Sequence, residues 1–187
     1  MVALAAVVAL FGIAPVTGDA SRPVLVSVLE PSTPGADELL PPILEPLTRG
    51  YEEPPTPFSA GHRGVDIEVE NGVSELRAPI GGVVDTAVVV GNRFVTIERN
   101  ATLRVTLSYL SAALVLDGAT VTAGEPVARA GTGHPESTGR AHVHLSVRVA
   151  DVLDPSGWRY VDPMPYLRRY LRRVREPIAH AVADPFV

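Results

Sequence analysis

Five histidines stand in this chain, at positions 62, 134, 142, 144 and 180, and three of them fall into two tight groups. The first group is Gly61-His62-Arg63-Gly64-Val65-Asp66. His62 and Asp66 are four apart and would share one face of a helix. The two glycines and the alternation that begins at Val65 argue against helix here. On a fully extended strand the two would stand about 13 Å apart, too far for one ion with bonds of about 2 Å. A shared ion therefore requires a bend between them. Gly64 permits that bend and keeps the space above it clear of a side chain. Without an ion, the pair is a loop histidine beside a surface aspartate.

The second group is His142-Val143-His144. Residues two apart on a strand share a face, so the two imidazoles lie together, opposite Val143, Leu145 and Val147. They can serve one metal, one as ligand and the other just outside it, or they can be two histidines on a solvated sheet face. Taken with the first group, one carboxylate and two imidazoles suit Zn²⁺ and leave a fourth position for water. That open position is the mark of a catalytic site. The bound water would have its pKa lowered toward about 7, and the additional histidine is the natural general base.

Short β segments must position these groups. Val65, Ile67 and Val69 alternate with Asp66, Glu68 and Glu70, the pattern of a half-buried strand. Strands are expected at Val83–Val90, Arg93–Glu98, Leu103–Tyr109, Pro126–Ala130 and His142–Val149, with a hairpin turn at Gly91-Asn92. Asp162 caps a C-terminal helix with Pro163 in its first turn and Tyr166, Leu167, Tyr170, Leu171 and Val174 on one face. Arg168, Arg169, Arg172, Arg173 and Arg175 form the opposite, solvated face. The divisions are an apolar segment over 1–20, a proline-rich extended segment over 21–57, a β domain over 58–162, a helix over 163–176 and a tail over 177–187.

Composition excludes several functions. All 16 basic residues are arginine, so lysine chemistry is absent, from Schiff bases to lipoyl attachment. That removes a carrier domain, which the glycine-spaced turn at Gly118–Gly124 would otherwise suggest. There is no cysteine, hence neither a disulfide framework nor a thiolate metal site. The net charge of -5 argues against nucleic acid as a partner. The first charged side chain is Asp19, after an apolar run that resembles the h-region of a secretory signal, with small residues at Gly18 and Ala20. A basic n-region does not precede it. The run is short for a transmembrane helix of about 20 residues, and contact of this segment with a membrane stays open. The expected location is extracytoplasmic, secreted or associated with the cell envelope.

A His-x-x-x-Asp followed by His-x-His resembles the LytM/lysostaphin-type zinc endopeptidases, which cleave peptidoglycan. The likeness extends through Pro57–Ile67, Ala78-Pro79 with Gly82-Val83-Val84, Val121-Thr122-Ala123-Gly124-Glu125-Pro126-Val127, Gly131-Thr132-Gly133, Ser137-Thr138-Gly139, His142-Val143-His144-Leu145 and Tyr160-Val161-Asp162-Pro163. It covers about Pro54 to Leu167. The resemblance implies one zinc ion on His62, Asp66 and His144, with His142 as a catalytic histidine. It also implies a mainly β fold, an antiparallel sheet or sandwich with a groove for a stem peptide or cross-bridge, and a monomer with peptidoglycan as partner. One position departs from the pattern. Tyr109, in Leu107-Ser108-Tyr109-Leu110, stands where the family has a second catalytic histidine. A tyrosine hydroxyl can donate one hydrogen bond but cannot carry positive charge.

Two functions follow: a secreted zinc endopeptidase, or a catalytically impaired wall-binding or hydrolase-activating domain of the same fold. His134, between Gly133 and Pro135, is expected at the rim of the site rather than as a ligand, and His180 in the tail has no assigned role.

Overall fold

The computed structural model describes residues 38–56, 59–70, 73–134 and 140–169. The apolar segment 1–20 and the helix and tail beyond 169 lie outside these residues. The strands are β1 (Leu47–Arg49), β2 (Val65–Glu68), β3 (Glu75–Arg77), β4 (Gly82–Val89), β5 (Asn92–Asn100), β6 (Leu103–Ala113), β7 (Thr120–Val121), β8 (Pro126–Ala130), β9 (His142–Ala150) and β10 (Trp158–Val161). All pairings are antiparallel. The main path runs β1-β2-β9-β6-β5-β4-β7, with β10 added on β9 and the β3–β8 pair joined through β6. A short helix, α1, occupies 164–169, and Asp162 Oδ1 accepts from the Met164 N–H at 2.9 Å as its cap.

Aromatic-poor composition leaves the core to aliphatic side chains. Val143, Leu145 and Val147 of β9 are fully buried with Val65, Val105, Leu107, Val95 and Ile97 from neighbouring strands. Leu76, Ile80 and Val127 extend the same cluster, and Leu167 of α1 closes it. Each such side chain contributes about 1.5–3 kcal/mol by leaving water. Leu39 also lies in this core, and β1 pairs with β2. Residues 38–56 of the proline-rich stretch are thus packed against the β domain.

The hairpin turn is Val90-Gly91, with φ of 50° and 81°, instead of the expected Gly91-Asn92. Positive φ at both central residues is the signature of a two-residue I′ hairpin. This register sets Val84 against Ile97, both buried, whereas a turn one residue later would set Val84 against Arg99. The first strand of the site ends at Glu68 and excludes Val69 and Glu70. β6 continues past its expected end at Tyr109 because it changes partner there. It pairs with β9 through Ser108 and with β8 from Leu110. Tyr109 at the changeover has φ of 63°, and the β5 register shifts across it, from Phe94↔Ser108 to Arg93↔Leu110. This is a β-bulge, which bends a strand and re-aims a side chain.

Candidate metal centre

The register of β2 on β9 sets Asp66 directly opposite His144, and Ser108 of β6 flanks His144 on the other side. Directly paired residues present their side chains to the same face. Asp66 and His144 therefore meet on the face opposite Val143 and Leu145. His62 lies before β2, held by a two-bond bridge to Glu52: N–H to carbonyl oxygen at 2.8 Å one way and 2.9 Å the other. The bend between His62 and Asp66 falls where it was expected, at Gly64. A Cβ there would strike the Leu145 carbonyl oxygen and lie 2.6 Å from His144 Nε2, so this backbone must pass without a side chain.

Three atoms converge. His62 Nε2 lies 3.1 Å from Asp66 Oδ1 and 3.1 Å from His144 Nδ1, and His144 Nδ1 lies 2.9 Å from Asp66 Oδ1. His62 and Asp66 are buried and His144 is nearly so. His62 donates its Nδ1–H to the Gly50 carbonyl oxygen, which leaves the Nε2 lone pair aimed at a carboxylate oxygen. Two acceptors cannot rest at that distance unless positive charge lies between them, either protons on the imidazoles or a cation. Burial pushes the Asp66 carboxyl up. The hydrogen bond from His144 and the electrostatic influence of the His62, His144 and His142 imidazoles outweigh that effect and hold it at about 2. Donor types, spacing and the carbonyl that fixes the His62 ring all fit a zinc ion, for which a ring N–H given to a backbone oxygen is the usual supporting contact.

His142 does not sit on a solvated sheet face, as one reading of the pattern allowed; it is almost fully buried. It donates Nδ1–H to the Arg140 carbonyl oxygen at 3.1 Å, so Nε2 carries the lone pair, 3.9 Å from Asp66 Oδ2. The His134 backbone N–H donates to that nitrogen at 3.3 Å. A Cβ at Gly133, where φ is 89°, would lie 2.6 Å from His142 Nε2.

His134, expected at the rim of the site rather than as a ligand, lies against Asp66. Its Nε2 is 3.4 Å from Asp66 Oδ2, and only 12% of its side chain is exposed. Its ring is 4.7 Å from that of His142 and 5.5 Å from that of Tyr109, centre to centre. The reason is topological. The loop carrying His134 leaves β8 where β6 changes partner, and the Gly131 N–H is bonded to the Tyr109 carbonyl oxygen at 3.1 Å. The available signal was Gly131 and Gly133, which let this loop run close beside its neighbours. Tyr109, turned by its bulge, sets its ring 6.4 Å from that of His144. All five residues singled out from the sequence therefore lie at one centre, and His134 joins them.

Fold and site together define an antiparallel β domain on one face of which two histidines and one carboxylate, His62, His144 and Asp66, converge. The chain belongs to peptidase family M23, whose model matches residues 60–163. Its fold is similar to that of the antimicrobial peptidase lysostaphin from Staphylococcus simulans, at 25% identity and a TM-score of 0.55, over 67% of this chain and 51% of that one. The chain thus spans about half the length of that lysostaphin. A mutant catalytic domain of the prophage-encoded M23 protein EnpA from Enterococcus faecalis is 27% identical, with a TM-score of 0.51 over 69% of this chain and 96% of that one. A zinc containing peptidase from Vibrio cholerae shares the fold at 24% identity, with a TM-score of 0.52 over 68% of this chain and 38% of that one. No curated protein matches the chain. Among the described residues, no helix is long and apolar enough to cross a membrane.

Proposed function

We propose that this domain is a zinc-dependent endopeptidase that hydrolyses peptide bonds in the stem peptides or cross-bridges of peptidoglycan, outside the cytoplasm. The observation that carries the reading is the convergence of His62 Nε2, Asp66 Oδ1 and His144 Nδ1 within 3.1 Å of one another. Membership of a peptidase family supports the reaction class. The apolar run before Asp19 supports export.

One zinc ion held by these three side chains would polarise the scissile carbonyl and activate a water. His142 moves the proton. With Nδ1–H anchored on Arg140, its Nε2 accepts a proton from the attacking water and returns it to the leaving amine. The His134 N–H bonded to that nitrogen yields as the proton arrives. Tyr109 stands beside His144 and His134, and its hydroxyl is the group proposed to donate to the developing oxyanion.

The test is zinc content together with release of soluble muropeptides from purified cell walls. One zinc per chain with cleavage supports the enzyme. One zinc per chain with no cleavage of any wall preparation sinks it. That outcome favours the second reading, a wall-binding or hydrolase-activating domain, for which the observation is tyrosine at position 109.

A further inference from the structure

Asp66 has two oxygens, and they do different things. Oδ1 faces His62 Nε2 and His144 Nδ1 at 3.1 and 2.9 Å. Oδ2 faces away from that pair, 3.4 Å from His134 Nε2 and 3.9 Å from His142 Nε2. A carboxylate free to rotate about its last bond could offer either oxygen, or both, to an ion. Here the outer oxygen has a partner. A carboxylate only accepts, so the His134 nitrogen facing it bears the hydrogen. The contact is long for an N–H···O bond, but an ionised acceptor strengthens it, and both side chains are largely removed from water.

We propose that His134 is a positioning residue of the metal centre: its Nε2–H holds Asp66 Oδ2, so that Oδ1 alone is presented to the ion. The inference rests on the zinc reading above. The same loop braces the other side of the site, because the His134 backbone N–H bonds His142 Nε2 while its side chain bonds Asp66. One residue thus ties the ligand carboxylate to the proton-moving histidine. Support of this kind, one step out from the ligands, typically accounts for a 10- to 100-fold share of metal affinity.

The same atoms could be read as a second ion site, because Asp66, His134 and His142 offer donor atoms within 4.8 Å of one another. The engaged nitrogen of His142 favours the hydrogen bond. Tetrahedral ligands with bonds of about 2.1 Å stand about 3.4 Å apart. The first trio, at 2.9 to 3.1 Å, needs to open by a few tenths of an ångström. The second, at 3.4 and 3.9 Å from Asp66 Oδ2, departs from that spacing no more than the first, but His142 Nε2 already accepts from the His134 N–H and so has its lone pair engaged.

The experiment is a zinc titration of the chelator-stripped full chain against a chromophoric competitor, beside His134→Ala, His134→Gln, His134→Asn and His144→Ala. One ion is expected in the wild type, with affinity 10- to 100-fold weaker in His134→Ala. Gln, whose amide N–H reaches as far as Nε2, should restore most of the loss, and the shorter Asn should not. Unchanged affinity in His134→Ala overturns the proposal. So does a wild type that binds two ions and falls to one in His134→Ala, which would make the group a second metal site. If circular dichroism shows His134→Ala unfolded, Gln against Asn decides, and equal affinities overturn it. A wild type that binds no more zinc than His144→Ala fails at the zinc reading itself, with the His134 inference falling after it.

Discussion

His144 Nδ1 stands 2.9 Å from Asp66 Oδ1 across the β2–β9 pairing, although the two are 78 positions apart in the chain. The contact exists only because Val65↔Leu145 and Ile67↔Val143 fix the register with buried side chains on the other face. A one-residue slip would turn Asp66 into the core. The core and the candidate metal centre are two faces of one strand pair, so mutations at the site separate by the atoms they touch.

His144→Ala and His142→Ala should separate in this way. Loss of His144 removes a converging donor and should weaken zinc binding by more than about 100-fold, since even supporting contacts are worth 10- to 100-fold. Loss of His142 should leave zinc within a few-fold of the wild type and lower wall-hydrolysis turnover by about 10²–10⁴. Zinc content by elemental analysis and rates of muropeptide release check both. Stoichiometric zinc in His144→Ala would contradict the ligand assignment.

Gly64→Ala is expected to fail where Gly50→Ala does not. At Gly64 the new methyl meets the Leu145 carbonyl oxygen and, at 2.6 Å, His144 Nε2, whereas nothing lies within 4 Å of one at Gly50. Overpacking of this kind costs about 1–3 kcal/mol, and it displaces the His144 ring as well. Urea unfolding of the metal-free proteins should show that loss for Gly64→Ala and a change within about 0.5 kcal/mol for Gly50→Ala. Equal stability and equal zinc affinity in the two variants would remove the steric argument.

The metal-free chain should show an acid limb from Asp66. Its carboxyl is held at about 2 in the folded state, against about 3.9 when unfolded. Because the folded value is the lower one, ionised Asp66 stabilises the fold above about pH 4, and that contribution disappears as the pH falls through about 2. Chelator-treated wild type should therefore be more stable than Asp66→Asn at pH 6, with the gap closing between pH 4 and 2. A gap that stays constant over that range would place the stabilisation elsewhere.

Tyr109→Phe isolates the hydroxyl. The ring keeps its contacts with Phe94, His134 and His144, so fold and zinc affinity should not move. If the hydroxyl serves the oxyanion, turnover should fall by about 10²–10³. An unchanged rate would leave Tyr109 with a packing role at the bulge.

Much of this protein was legible in its sequence. Alternation of Val143, Leu145 and Val147 with His142, His144 and Ser146 located the strand from His142 onward, and Gly124 and Gly131 bounded the one at Pro126–Ala130. Histidine and aspartate at those spacings marked side chains that the fold brings together, and Gly64 marked the bend between His62 and Asp66. Asp162-Pro163 marked the start of α1. What the sequence left undecided depended on register and on strand partners. The hairpin turn moved to Val90-Gly91 because the pairing of Val84 with Ile97, a non-local contact, outweighed the local preference of Gly91-Asn92. Tyr109 faces the site because β6 exchanges β9 for β8 at that residue. His134 reaches Asp66 because the loop from β8 passes that changeover. Residue types and spacings are local and can be read along one chain. The meeting of loop, bulge and strand is set by hydrogen bonds between segments far apart in sequence, and only the folded arrangement decides which of them share the centre.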